Sequence, residues 1–148
     1  MRVWKYDTEQ QGAYRIEFSN SGKYLAMACT MSSSKTIIKI ADVEMGTVKI
    51  VLRGHHDLIH DLSWSQDDKF LASASADGSV KIWDLRYKET DYADKLNYTE
   101  NDAMFFICSL LHSSYVYAAR IYPETVQSGD TIVVGTACYD GKIRLWTV

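Results

Sequence analysis

The stretch Ala76-Asp77-Gly78-Ser79-Val80-Lys81-Ile82-Trp83-Asp84-Leu85 decides how this 148-residue chain is read, because it recurs. It returns as Tyr139-Asp140-Gly141-Lys142-Ile143-Arg144-Leu145-Trp146-Thr147-Val148, displaced by 63 residues (83 to 146). In both copies Asp-Gly precedes an alternation of apolar and polar residues with period two, the pattern of a half-buried strand. Asp-Gly is also a strong hairpin signal. It predicts a type I′ turn at Asp77-Gly78 and at Asp140-Gly141, with positive φ at both central positions.

A second self-similarity lies further toward the N-terminus. Phe18-Ser-Asn-Ser-Gly-Lys-Tyr-Leu-Ala-Met-Ala28 matches Trp64-Ser-Gln-Asp-Asp-Lys-Phe-Leu-Ala-Ser-Ala74, displaced by 46 residues (18 to 64). Short apolar segments at 59–64 and 70–75 read as strands, and Met45-Gly46 turns the chain into another at 47–52. The loop histidines His55 and His112 lie 57 apart, and the shortfall against 63 falls in the longer turn 122–130. Surface turns tolerate such insertions. No amphipathic helix is evident, and the single proline, Pro123, sits in that turn. The expectation is an all-β chain of three repeats, each read as outer, inner, second and third strand. The repeats cover about 2–43, 47–86 and 104–148, with a charged loop at 87–103.

Gly54-His55, a strand, a turn, a strand, Asp77-Gly78 and then Ile82-Trp83-Asp84 resemble a WD40 repeat, with 28 residues from His55 to Trp83. The resemblance implies a β-propeller segment of about three four-stranded blades, an incomplete ring, since propellers have typically 4–8 blades. It also implies a hydrogen-bonded tetrad of loop His, strand Ser or Thr, turn Asp and strand Trp. The second repeat supplies His55, Ser73, Asp77 and Trp83; the third supplies His112, Thr136, Asp140 and Trp146. In the first repeat Met27 and Ala41 replace the hydroxyl and Trp positions, and its turn has no Asp-Gly, so packing alone should hold a looser blade. A narrower likeness runs through segments 18–29, 54–68, 113–120 and 138–146. These resemble WD40 scaffolds of the ciliary transition zone and basal body, which implies a cytoplasmic, ciliary role among protein partners.

The net charge of −3 and pI near 5.8 argue against a nucleic-acid binder. The longest apolar run, 103–108, is too short to span a bilayer, and no signal peptide is expected at the N-terminus. Cys29, Cys108 and Cys138 are odd in number and far apart, as expected of buried thiols in a reducing compartment. His55, His56, His60 and Asp61 fall within seven residues, the one grouping that suggests a metal or a catalytic base. A third ligand is not evident, and His55 already has a tetrad role. Ser73 and Ser75 lack the context of a nucleophile, and no glycine pattern cradles a phosphate. No cofactor or metal site is expected, and the chain reads as non-enzymatic.

Interaction surfaces remain. Loops 54–58 and 111–115 and turns 76–79 and 138–142 should cluster on one face, with His56, Asp57, Tyr115 and Tyr139 as candidate partner-binding residues. The segment 86–102 carries three basic and five acidic residues, with tyrosines at 87, 92 and 98; it reads as a solvated loop or a docking segment. A generic WD40 subunit of another assembly, such as a ubiquitin-ligase receptor or trafficking coat, would share every repeat feature. Three repeats cannot close a ring, so completion by the rest of a longer propeller or by further chains is expected.

Overall fold

The computed structural model describes residues 12–32, 35–86, 106–122 and 131–148. Among these residues eleven strands alternate with turns and loops, and there is no helix. The first antiparallel sheet takes β1 (Ala13–Phe18), β2 (Tyr24–Ser32), β3 (Lys35–Asp42) and β4 (Thr47–Arg53) in that order. The second takes β5 (Ile59–Trp64), β6 (Phe70–Ser75), β7 (Ser79–Asp84) and β8 (Phe106–Leu111). The third takes β9 (Val116–Ile121), β10 (Val133–Cys138) and β11 (Ile143–Thr147), and has three strands among the described residues. The sheets follow one another without closing a ring.

Period-two alternation is broken where a strand is covered on both faces, and the middle sheet shows why. Leu71, Trp83, Leu62 and Leu85 pack toward the first sheet's Ala26, Ile38, Ile40 and Leu52. Phe70, Ala72, Ala74, Val80 and Ile82 pack toward the third sheet's Val116, Ala119, Ile121 and Val134. Every residue of β6 is therefore buried, which accounts for its continuous small and apolar sequence. Burying each of the large aliphatic side chains contributes about 1.5–3 kcal/mol. In the first sheet Met27 and Ala41 join Cys29 and Ile37 in a separate apolar cluster.

The repeats in the sequence and the sheets in space are offset by one strand. β4 opens the repeat at 47–86, yet it pairs with β3 of the preceding sheet, Ile38 opposite Leu52. β8 likewise opens the third repeat and pairs with β7, Val80 opposite Leu110. Each repeat thus begins by finishing the sheet before it, which ties neighbouring sheets covalently and by hydrogen bonds. The charged segment accordingly connects two strands of one sheet. Its residues 87–103, with tyrosines 87, 92 and 98, lie outside the described residues, as do residues 1–11 and the turn segment 123–130 with Pro123.

The hairpin turns differ from the expected type I′. Gly78 has φ 82° and Gly141 φ 76°, but neither Asp77 nor Asp140 adopts a positive φ. The N–H of Gly78 bonds Ser75 O at 3.3 Å and that of Gly141 bonds Cys138 O at 3.1 Å. These are three-residue loops, with the glycine in the left-handed position after a tighter turn. The physical reason is the aspartate: Asp77 Oδ1 accepts the N–H of Ser79 at 2.9 Å, and Asp140 Oδ1 accepts that of Lys142 at 3.0 Å. Such local side-chain bonding favours an ordinary negative φ at the Asp.

Polar bonds lock the first two sheets where apolar packing ends. The indole N–H of Trp64 donates to Glu17 O at 3.2 Å. Asp68 accepts the N–H of Asn20 at 2.7 Å and that of Ser21 at 3.2 Å. Asp68 has φ 60°, and the 46-residue displacement places it where the first sheet has Gly22, φ 72°.

Candidate functional site

One directed chain of hydrogen bonds runs through the second sheet. The indole N–H of Trp83 donates to Ser73 Oγ at 2.9 Å. Ser73 donates its one hydroxyl proton to His55 Nε2 at 2.7 Å, and His55 Nδ1–H donates to Asp77 Oδ2 at 2.8 Å. Indole can only donate and an ionised carboxylate can only accept, so the direction and the His55 tautomer are fixed. Burial holds the His55 imidazole below its ordinary 6.5, despite the Asp77 carboxylate beside it. Burial pushes the Asp77 carboxyl up, but hydrogen bonds from His55, Ser79 and the backbone of His56 outweigh this and hold it well below the usual range. Gly54, at φ 139°, swings the chain so that His55 turns inward beside Trp83.

The third sheet repeats only part of this. Trp146 Nε1–H donates to Thr136 Oγ1 at 2.9 Å, and Thr136 donates to His112 Nε2 at 2.8 Å. His112 Nδ1 then bonds Leu110 O at 3.0 Å, not Asp140. Asp140 instead accepts from Ser113 Oγ at 2.9 Å and Arg144 Nη2 at 2.5 Å. The expected four-member tetrad is therefore three members here. Leu111 stands where the second sheet has Gly54 and cannot take that glycine's φ, so His112 stays facing its own strand. Arg144 also holds the Asp140 carboxyl well below the usual range.

These chains gather the loops at one end of the sheets. Ala76 N–H bonds Leu58 O, His112 N–H bonds Gly78 O, and Tyr139 N–H bonds Tyr115 O. Thr36 Oγ1 and Ser75 Oγ both donate to Asp57 O, at 2.8 and 3.1 Å. On this end Tyr115 and Tyr139 are about half to two-thirds exposed, and their rings lie 6.3 Å apart. Tyr117 joins them at 6.1 Å from Tyr139, and His60 lies 5.3 Å from Tyr117. The structure thus extends the expected pair into an aromatic cluster. His56 and Asp57 are exposed on the neighbouring loop rather than within it. Tyr117 was legible only as an alternating position on an inner strand, a weak signal.

The histidine group separates in space. His55 has both ring nitrogens engaged, the His60 ring lies tilted against Tyr117, and Asp61 serves another purpose. Among the described residues no group of three or more His, Cys, Asp or Glu is arranged to hold a metal ion. Asp61, 3% exposed, bonds the N–H of Ala119 at 3.1 Å and pairs with Arg15 Nη2 at 2.9 Å and with Arg120. One carboxylate so joins the inner strands of all three sheets. Cys29 and Cys138 are buried free thiols, and burial pushes the partly buried Cys108 thiol up. At the opposite end of the inner strands an open cleft of about 350 Å3 lies among Phe18, Trp64, Gln66 and Arg120.

Residues 46–84 and 106–147 match the WD domain, G-beta repeat. The chain belongs to the WD40 family. Among curated relatives, rat jouberin (Rattus norvegicus) is 33% identical over 146 residues, and mouse jouberin (Mus musculus) is 32% identical. Each alignment covers 99% of this chain and 12% of jouberin, so the chain spans about an eighth of those relatives. Cilia- and flagella-associated protein 57 C of Tetrahymena thermophila is 33% identical over 86 residues, 57% of this chain and 6% of that protein. Among solved structures, the β-propeller domain of Myceliophteria thermophila Cps50 (Swd1) superposes with a TM-score of 0.66 at 23% identity. That match covers 90% of this chain and 35% of the other. The WD40 chain is thus a β-propeller segment, and the ciliary likeness read from its segments is to jouberin.

Proposed function

We propose that this WD40 segment is a non-enzymatic scaffold that holds other proteins together in the assembly of the cilium and basal body. The jouberin likeness along 99% of the chain supports the ciliary part of this reading. The aromatic cluster of Tyr115, Tyr117 and Tyr139 supports the binding part. Tyrosine supplies large contact area at little conformational cost; here Tyr115 and Tyr139 stand on loops joined by a backbone hydrogen bond, with Tyr117 on β9 beside them. His56 and Asp57 flank the same face. In this reading the His55 and His112 chains are structural: they hold the loops so that binding does not have to order them. The partners are proteins, with no nucleic acid, cofactor or membrane insertion involved. The propeller is completed by the rest of a longer ring or by further chains.

Imaging the tagged protein in ciliated cells tests this. Concentration at the basal body or transition zone is expected; a diffuse or vesicular pattern rejects the ciliary reading in favour of a WD40 subunit of another assembly.

A further inference from the structure

Four rings form a continuous row at the loop end of the sheets. Ring centroids lie 5.3 Å apart from His60 to Tyr117, 6.1 Å from Tyr117 to Tyr139 and 6.3 Å from Tyr139 to Tyr115. The exposure of this row belongs to its place in the repeat. Displacements of 57 and 63 residues put Tyr115 where the second sheet has Leu58, Tyr117 where it has His60 and Tyr139 where it has Ala76. The third sheet packs against the second, yet Leu58 is still 41% exposed and His60 and Ala76 are only half-buried. A side chain sandwiched between two rings would need them at least about 7 Å apart. These rings are closer than that, so a partner lies across the row rather than between its members.

The row offers aromatic surface and hydroxyl donors. Among the described residues none of the Tyr115, Tyr117 and Tyr139 hydroxyls has a hydrogen-bond partner. A spare carboxylate does not stand among them. Asp140, next to Tyr139, is held by Arg144 and Ser113, and Asp57 lies on the neighbouring loop with Oδ1 taking the Leu58 N–H at 2.7 Å.

We infer that this row binds a proline-rich segment of a partner protein in the polyproline II conformation. The inference rests on the reading that this end of the sheets binds proteins, and it names the chemistry of the partner. Such a segment presents apolar rings and solvated backbone carbonyls and has no N–H donors at its prolines, the complement of aromatic surface with hydroxyls left to donate. It rises about 3.1 Å per residue, so alternate residues are about 6.2 Å apart, which matches the spacing of the tyrosine rings. Its backbone is extended before it docks, so little entropy is lost. A basic segment fits less well, because its cation would find no carboxylate to pair with.

The probe is a decamer of proline, titrated into the full chain while the ring signals of Tyr115, Tyr117 and Tyr139 are followed by NMR. Decamers of alternating glycine and serine and of alternating glycine and lysine are the controls. The proline decamer should move the signals of all three tyrosines and bind about tenfold more tightly than either control. Tyr115→Phe and Tyr139→Phe keep the rings and remove the donors, so each should weaken binding about threefold. Tyr139→Ala should weaken it about tenfold. Unmoved tyrosine signals, equal binding of the glycine-serine decamer, tighter binding of the lysine decamer, or unchanged affinity in Tyr115→Phe and Tyr139→Phe alike would overturn the inference. A failed proline titration together with loss of the basal-body signal on changing Tyr115 and Tyr139 rejects the proline chemistry alone; an undiminished signal rejects the reading beneath it.

Discussion

Asp61 Oδ1 lies 2.9 Å from Arg15 Nη2, joining the inner strands of the first two sheets through a carboxylate that is 3% exposed. Its other oxygen takes the Ala119 N–H and Arg120 from the third sheet. A buried carboxylate with no such partners would be costly, so its acceptors are filled from both sides.

Truncating it should therefore loosen both joints at once. Asp61→Ala is expected to cost about 2–4 kcal/mol, less than a fully buried pair, because both arginines reach water once released. Arg15→Gln should cost about 1 kcal/mol. Urea unfolding midpoints of the purified protein measure both. A change below a few tenths for Asp61→Ala would show that the sheets are held without it.

The Ser73 hydroxyl, 0% exposed, serves Trp83 and His55 together. Ser73→Ala strands a buried indole N–H and an imidazole nitrogen, which should cost about 2–3 kcal/mol. Thr136→Ala removes the matching group in the third sheet, where Trp146 and His112 are half-buried and water can replace it. That loss should be about 1 kcal/mol. Denaturation of the two variants side by side checks the order.

Stability should fall with pH in two stages. The folded His55 has a pKa below 6.5, so as pH drops through the interval between folded and unfolded values the unfolded chain takes up the proton that the folded chain refuses. Stability is lost across that interval. Asp77 has a folded pKa below its ordinary 3.8, so its contribution is present above that value and is lost as pH falls toward the folded one. In unfolding midpoints measured against pH, His55→Gln should flatten the upper stage and Asp77→Asn the lower.

Much of the fold is legible in the residues. Asp77-Gly78 through Trp83 and its copy mark the strands and the positions of the turns, though not the turn type, and the 46-residue match puts Met27 in the place of Ser73; the two lie opposite Lys39 and Lys81. The sheet boundaries are less legible, because β4 and β8 pair backward, and pairing depends on space rather than on order along the chain. Asp140 is less legible too: the WD40 resemblance puts it in a tetrad, but His112 Nδ1 bonds Leu110 O and Arg144 takes the carboxylate. Asp61 reads as one of a histidine group, because the arginines that bind it come from strands about 46 and 59 residues away.

Asp68 accepts a positive φ to reach the first sheet. Asp68→Gly relieves that strain, about 1 kcal/mol, but removes the bonds to Asn20 and Ser21. The net expectation is a loss of about 1 kcal/mol, since hydrogen bonds to a charged group contribute about 1.5–3 kcal/mol each when buried and less at this exposed turn. A stabilised Asp68→Gly variant would show that the turn, not the joint between sheets, dominates.

In the proposed function, the loop end bearing Tyr115 and Tyr139 binds proteins at the base of the cilium. The direct test is the localisation of the tagged protein with both tyrosines changed, Tyr115→Ala and Tyr139→Ala, at matched abundance and with the thermal unfolding midpoint confirmed unchanged. Loss of the basal-body signal that the unaltered protein gives is the predicted result. An undiminished signal in the double variant would show that this end of the sheets does not bind there.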